Sequence, residues 1–167
     1  MKTFWTLTLL AMISWCSPVM AEFCTVDAED NSTQCIFKTK RNPKNAQIVV
    51  SYTQQGWSML VAVFLKEFAM VEGDSRVTTK DDKEYSLKYI STRRDMFPSG
   101  RVMEAPLYLA TEEMLLKLST AKGKVRVWLA AEDPEEVEVE FASSLFSDLD
   151  EYVAETKTVL GDLFEAQ

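Results

Sequence analysis

After Gly123 the chain changes character at every residue, and this alternation constrains the fold more than any other feature. Val125, Val127 and Leu129 alternate with Lys124, Arg126 and Trp128, and Val137, Val139 and Phe141 alternate with Glu136, Glu138 and Glu140. A period of two marks a strand with one buried face, because successive side chains of an extended chain point to opposite sides. Asp133-Pro134 lies between the two runs and supplies the turn. The pattern predicts a hairpin whose apolar sets share one face, with Lys124 and Arg126 facing the glutamates on the other. Cross-strand pairs of opposite charge contribute about 0.2–1 kcal/mol each, so the glutamate row reads as a solvated, partly paired face.

Upstream, short runs separated by turn residues continue the β pattern. Strands are predicted over residues 34–38, 47–53, 57–65, 76–79, 84–92 and 102–109. The run 57–65 is nearly continuous apolar sequence, as a strand buried on both faces requires. Pro106 points to a sheet edge or a bulge, since proline has no N–H for the ladder. Two segments carry helical signals. Thr111 is an N-cap followed by the acids Glu112 and Glu113, with Met114, Leu115 and Leu118 as its apolar stripe. A second helix follows Ser143-Ser144, with Leu145, Leu149, Tyr152, Val153, Thr156, Val159, Leu160 and Leu163 close to the helical period. The expected fold is mainly β: an antiparallel β-sandwich with one short helix and one C-terminal helix packed on it, as a single domain over residues 22–167.

Residues 1–21 read as a signal peptide. Lys2 supplies the charge, an apolar stretch runs from Phe4 to about Cys16, Pro18 breaks it, and Val19 and Ala21 occupy the small-residue cleavage positions. The stretch is shorter than the about 20 apolar residues of a membrane-spanning helix. Trp15 before Cys16 argues against a lipidation site. The expected product is periplasmic or secreted, without a transmembrane segment after cleavage. It retains two cysteines, Cys24 and Cys35, and an even pair in an exported chain reads as a structural disulfide.

Charge and composition remove several function classes. With 18 Lys and Arg against 26 Asp and Glu, the net charge is −8, without the basic footprint that nucleic acid needs. The absence of histidine removes Ser-His-Asp and Cys-His catalysis and nearly every catalytic zinc site. Neither a nucleophile elbow nor a phosphate loop occurs among the five glycines. The acidic cluster Asp27, Glu29, Asp30 and Asn31 lacks the glycine and the distal glutamate of a calcium loop. No catalytic residue, metal or cofactor is therefore expected. Basic residues gather in two groups: Lys38, Lys40, Arg41 and Lys44, then Arg93, Arg94 and Arg101 beside Phe97. Arg93, Arg94, Phe97 and Arg101 form the candidate surface site.

The stretch from Ala105 to Leu160 carries a resemblance. Ala105-Pro106-Leu107-Tyr108-Leu109 is followed by a helix around Glu113-Met114-Leu115-Leu116-Lys117-Leu118, then Ala121-Lys122-Gly123-Lys124-Val125, the run 137–141, and Ser143-Ser144-Leu145-Phe146 before a terminal helix. This order resembles the invasion-associated locus B family of exported bacterial proteins. The resemblance implies a signal peptide, a β-sandwich and no known catalytic centre. The chain departs from it in lacking a second cysteine pair in the later hairpin, and no family motif lands on particular positions. The expected function is that of an exported, non-catalytic binding protein of the bacterial periplasm or envelope, whose partner is an envelope protein or component. The alternatives are an inhibitor or chaperone of another exported protein, and a carboxylate-dependent hydrolase of envelope polysaccharide.

Overall fold

The computed structural model describes residues 23–26, 32–81 and 83–161. The signal-peptide segment and the acidic cluster at 27–31 lie outside the described residues. The strands are β1 (Cys24–Val26), β2 (Thr33–Lys38), β3 (Gln47–Thr53), β4 (Gly56–Leu65), β5 (Ser75–Thr79), β6 (Glu84–Met96), β7 (Val102–Leu109), β8 (Lys124–Ala130) and β9 (Glu136–Ala142). Helix α1 (Glu112–Ser119) links β7 to β8. A 3-10 turn (Ser143–Phe146) leads into α2 (Leu149–Val159). The antiparallel, mainly β architecture is present as one continuous sheet in the order β1-β2-β3-β4-β7-β6-β5-β8-β9, not closed into a barrel.

The long strand β6 joins two layers of this sheet, the first built of β1, β2, β3, β4 and β7 and the second of β5, β8 and β9. Its residues 84–87 pair with β5, and the rest of the strand pairs with β7. A register shift falls between Tyr89 and Ser91, leaving Ile90 as the extra residue. Such a bulge bends a strand and raises its twist, and here it lies where β6 changes partner. Apolar residues from both layers, among them Met59, Val61 and Val63 of β4 and Val125, Val127 and Phe141 of β8 and β9, then share one core. Strand β4 is buried on both phases at 57–59 and 61–63, as its continuous apolar sequence requires.

The β8–β9 hairpin has the expected register: Val125 faces Phe141, Val127 faces Val139, and Leu129 faces Val137. Pro106 is not at an edge, because β7 lies between β4 and β6. Its cost is absorbed locally: the β4–β7 ladder skips the pairs around Pro106 without changing register, and the bulge sits in the neighbouring strand β6.

The Thr111 side chain caps α1 by accepting the Met114 N–H, and Met114, Leu115 and Leu118 are buried. Helix α2 buries Leu149, Tyr152, Val153 and Thr156. Val159 is exposed, and the predicted stripe is instead extended at its start by buried Phe146 in the 3-10 turn. Tyr152 fixes the docking of α2. Its ring meets Phe23, Phe37 and Trp57, and its hydroxyl donates to the carbonyls of Cys35 and Val50 at 3.1 Å each. Burial pushes the Tyr152 phenol up to about 12. Glu155 completes the clamp by accepting the backbone N–H groups of Phe23 and Cys24 at 2.9 and 3.0 Å.

Candidate functional site

The four residues of the candidate surface site all fall on β6 or in the turn to β7. The turn is closed by the Phe97 N–H donating to the Arg101 carbonyl at 2.8 Å and the Gly100 N–H donating to the Phe97 carbonyl at 2.9 Å. Gly100 adopts a φ of 76°, a region that disfavours side chains. This geometry turns Phe97 onto Phe64 of β4, with the rings stacked at 5.9 Å. The Arg41 guanidinium lies 5.0 Å from the centre of the Phe64 ring. Met96 beside them is 69% exposed and Phe97 is 39% exposed. Arg101 is exposed. The end of the β6–β7 hairpin thus presents an aromatic pair, a flexible thioether and two guanidiniums.

Arg41 reaches this end because its loop is anchored. Buried Asn42 accepts the Ala46 N–H at 2.7 Å and donates to the Glu140 carbonyl of β9 at 2.8 Å. Thr39 ties the other side of the loop to Ile48 through backbone and hydroxyl bonds. The two basic groups of the sequence therefore converge through Arg41, which the hairpin residues alone did not reveal.

Arg93 and Arg94 behave differently. Arg93 is exposed and pairs with Asp95 at 2.8 Å. Arg94 is only 26% exposed and donates to Glu104 at 2.8 Å and to Glu72 at 2.9 Å. Its pKa rises, chiefly through the hydrogen bond to Glu104. Glu104 lies directly opposite Arg94 across β6 and β7 and is 0% exposed. Its carboxylate also accepts the N–H groups of Ala69 and Val71 at 3.0 and 3.1 Å. The Val71 carbonyl in turn accepts from Thr92 and Arg94. Together these bonds bolt the connection between β4 and β5 to the sheet. Arg94 is a structural cation, and a ligand at the hairpin end would meet Phe97, Arg101, Met96, Phe64 and Arg41.

The β9 glutamates are paired across the strands. Arg126 faces Glu140 in register and lies within 3.6 Å of it and 3.3 Å of Glu138. Lys124 pairs with Glu140 at 2.6 Å, and Arg76 binds Glu136. Glu140 is held below the usual carboxylate range, first by its hydrogen bond to Lys124. Among the described residues, no group of three or more acids or cysteines is placed to hold a metal ion. Cys24 and Cys35 form the expected disulfide and sit directly opposite each other on β1 and β2.

Two residues escaped the sequence reading. Glu104 had a usable signal: it lies in phase with Val102, Pro106 and Tyr108, all buried, so an acid occupied an inward position. The Arg41–Phe64 contact had none, since it depends on how the loop before β3 folds back.

No family model and no curated protein matches this chain. Among solved structures, the chain is similar to the crystal structure of invasion associated protein B from Bartonella henselae, with 16% identity and a TM-score of 0.46. The match covers 80% of this chain and 91% of that chain. Among the described residues, no helix is long and apolar enough to cross a membrane.

Proposed function

We propose that this chain is an exported protein of the bacterial periplasm or envelope that works by binding, and that its partner is an envelope protein or component met by the β6–β7 hairpin end. The observation that carries the reading is the stacked Phe64–Phe97 pair with Arg41 over it and Met96 beside it in solvent. Aromatic residues, methionine and arginine are the types enriched where proteins bind one another. An exposed cluster of them is costly to keep in water unless something covers it. Export is supported by the leader-like residues 1–21 and by the Cys24–Cys35 disulfide, a bond that persists in oxidising compartments. Binding is favoured over carboxylate catalysis because the acids of β9 face cations across the strands, whereas a glycosidase needs two acids facing each other across a cleft.

The test is capture of a stoichiometric partner from an envelope extract with wild-type chain and with a Phe97→Asp, Arg101→Glu variant. The variant is expected to fold normally and to lose the partner. A variant that keeps every protein and membrane interaction removes the hairpin end from the proposal. Turnover of a hydrolase substrate panel, abolished by acid-to-amide changes, would replace binding with catalysis.

A further inference from the structure

On the outward face of the second layer, where β5 ends and β8 begins, a cavity of about 410 Å³ is lined by Thr78, Thr79, Lys80, Gly123, Lys124 and Arg126. Three of these six carry positive charge and none is acidic, in a chain whose net charge is −8. We propose that this cavity is a binding site for a phosphate monoester, with Lys80, Lys124 and Arg126 meeting the phosphate oxygens and the Thr78 hydroxyl donating to them.

The acids nearby strengthen the geometry without cancelling its charge. Glu138 and Glu140 reach across from β9; Glu140 holds Lys124 at 2.6 Å, and both glutamates hold Arg126 at 3.3 and 3.6 Å. Both cations remain 63% and 49% exposed, within reach of a ligand. Lys80 has no ion pair among the described residues, so its charge is the one left over. Its side chain passes close over Gly123: a Cβ there would lie 3.1 Å from the Lys80 Cδ, and the backbone φ of 81° favours glycine. The Thr78 hydroxyl accepts the Trp128 indole N–H at 3.2 Å, which leaves its own proton available to donate. Guanidinium and ammonium donors with an oriented hydroxyl suit a tetrahedral oxyanion. A volume within the about 300–1,000 Å³ of small-molecule sites exceeds what a bare phosphate fills, which favours an ester over the free ion.

The Trp128 indole N–H reports on the site through Thr78. Titration of the full exported chain with glycerol 3-phosphate at constant ionic strength, followed by the Trp128 indole resonance, should give a saturable shift. Lys80→Glu should weaken binding by about tenfold or more, the scale of one charge-assisted hydrogen bond. Thr78→Val should weaken it by a smaller factor while retaining the fold, checked by an unchanged melting curve. Sedimentation with phosphatidic acid vesicles separates the sources of the ester. Retention that Lys80→Glu abolishes assigns the site to a lipid headgroup, and soluble binding without vesicle retention assigns it to a free ester. A shift that is linear, that sodium chloride reproduces, or that survives Lys80→Glu unchanged overturns the proposal.

Discussion

Glu104 and Glu140 are the same residue in the same local setting: each sits on a β-strand directly opposite an arginine, Arg94 in one case and Arg126 in the other. Their surroundings set them apart. Glu104 is fully buried and its oxygens are filled by two backbone N–H groups as well as the guanidinium. The Glu140 side chain keeps 31% of its exposure and shares water with Lys124 and Arg126. A carboxylate withdrawn from water must recover its lost hydration from fixed donors, or the strand carrying it will not pack. A carboxylate at the surface has solvent as an alternative partner, so its ion pair adds little. The pair that looks like surface chemistry in the sequence, Arg94, therefore belongs to the architecture, and the acidic row that looks dramatic is mostly trim.

This contrast can be broken by substitution. The largest effect is expected for Glu104→Ala, which leaves Arg94 and two backbone donors facing an empty, buried position. A loss of about 3–5 kcal/mol in urea unfolding is expected, and a loss near zero would reverse the ranking of the two glutamates. Replacing both Cys24 and Cys35 with serine should cost about 2–3 kcal/mol through the reopened loop, measured in the same denaturation series. Tyr152→Phe should cost about 0.5–1.5 kcal/mol, because it removes the hydroxyl that two buried carbonyls share.

Titration sharpens the same comparison. Burial raises the phenols of Tyr108 and Tyr152 to about 12 from an ordinary 10.0. Groups raised on folding leave stability intact below the unfolded value and remove it as pH climbs through the folded one. Stability should therefore fall between pH 10 and 12, and Tyr152→Phe should lessen that fall. Glu140 is shifted the other way, below the ordinary 4.5 of a glutamate. Its contribution is present above the unfolded value and disappears as pH drops through the lowered one. Glu140→Gln should give the smallest change of the series and should erase a salt-sensitive part of the acid transition, seen by comparing acid melts at low and high sodium chloride.

Much of the fold was legible because it rests on local rules. The β8–β9 register follows from a strict period of two, the α1 start from Thr111, and the disulfide from an even cysteine pair behind a leader-like segment. What escaped depends on partners distant in sequence. Strand β6 was read as ending near Thr92, since nothing local says that it continues to Met96 and serves two neighbours through a bulge at Ile90. Strand β1 is three residues long, too short for a periodic signal, and is defined by pairing with β2 and by Glu155. Of the candidate site, Phe97 and Arg101 were singled out from composition, whereas Arg41 and Phe64 came together only through the anchored loop. Arg94 was misread because its sequence neighbours are polar while its cross-strand neighbour is a buried acid.

The hold of Glu155 on Phe23 and Cys24 joins residues separated by more than 130 positions. Pairing with β2 and the disulfide can hold β1 as soon as both strands exist, but its outer clasp closes only when α2 has folded. Until then the Phe23 and Cys24 N–H groups lack their carboxylate partner. The edge of the sheet made earliest is thus the one finished latest.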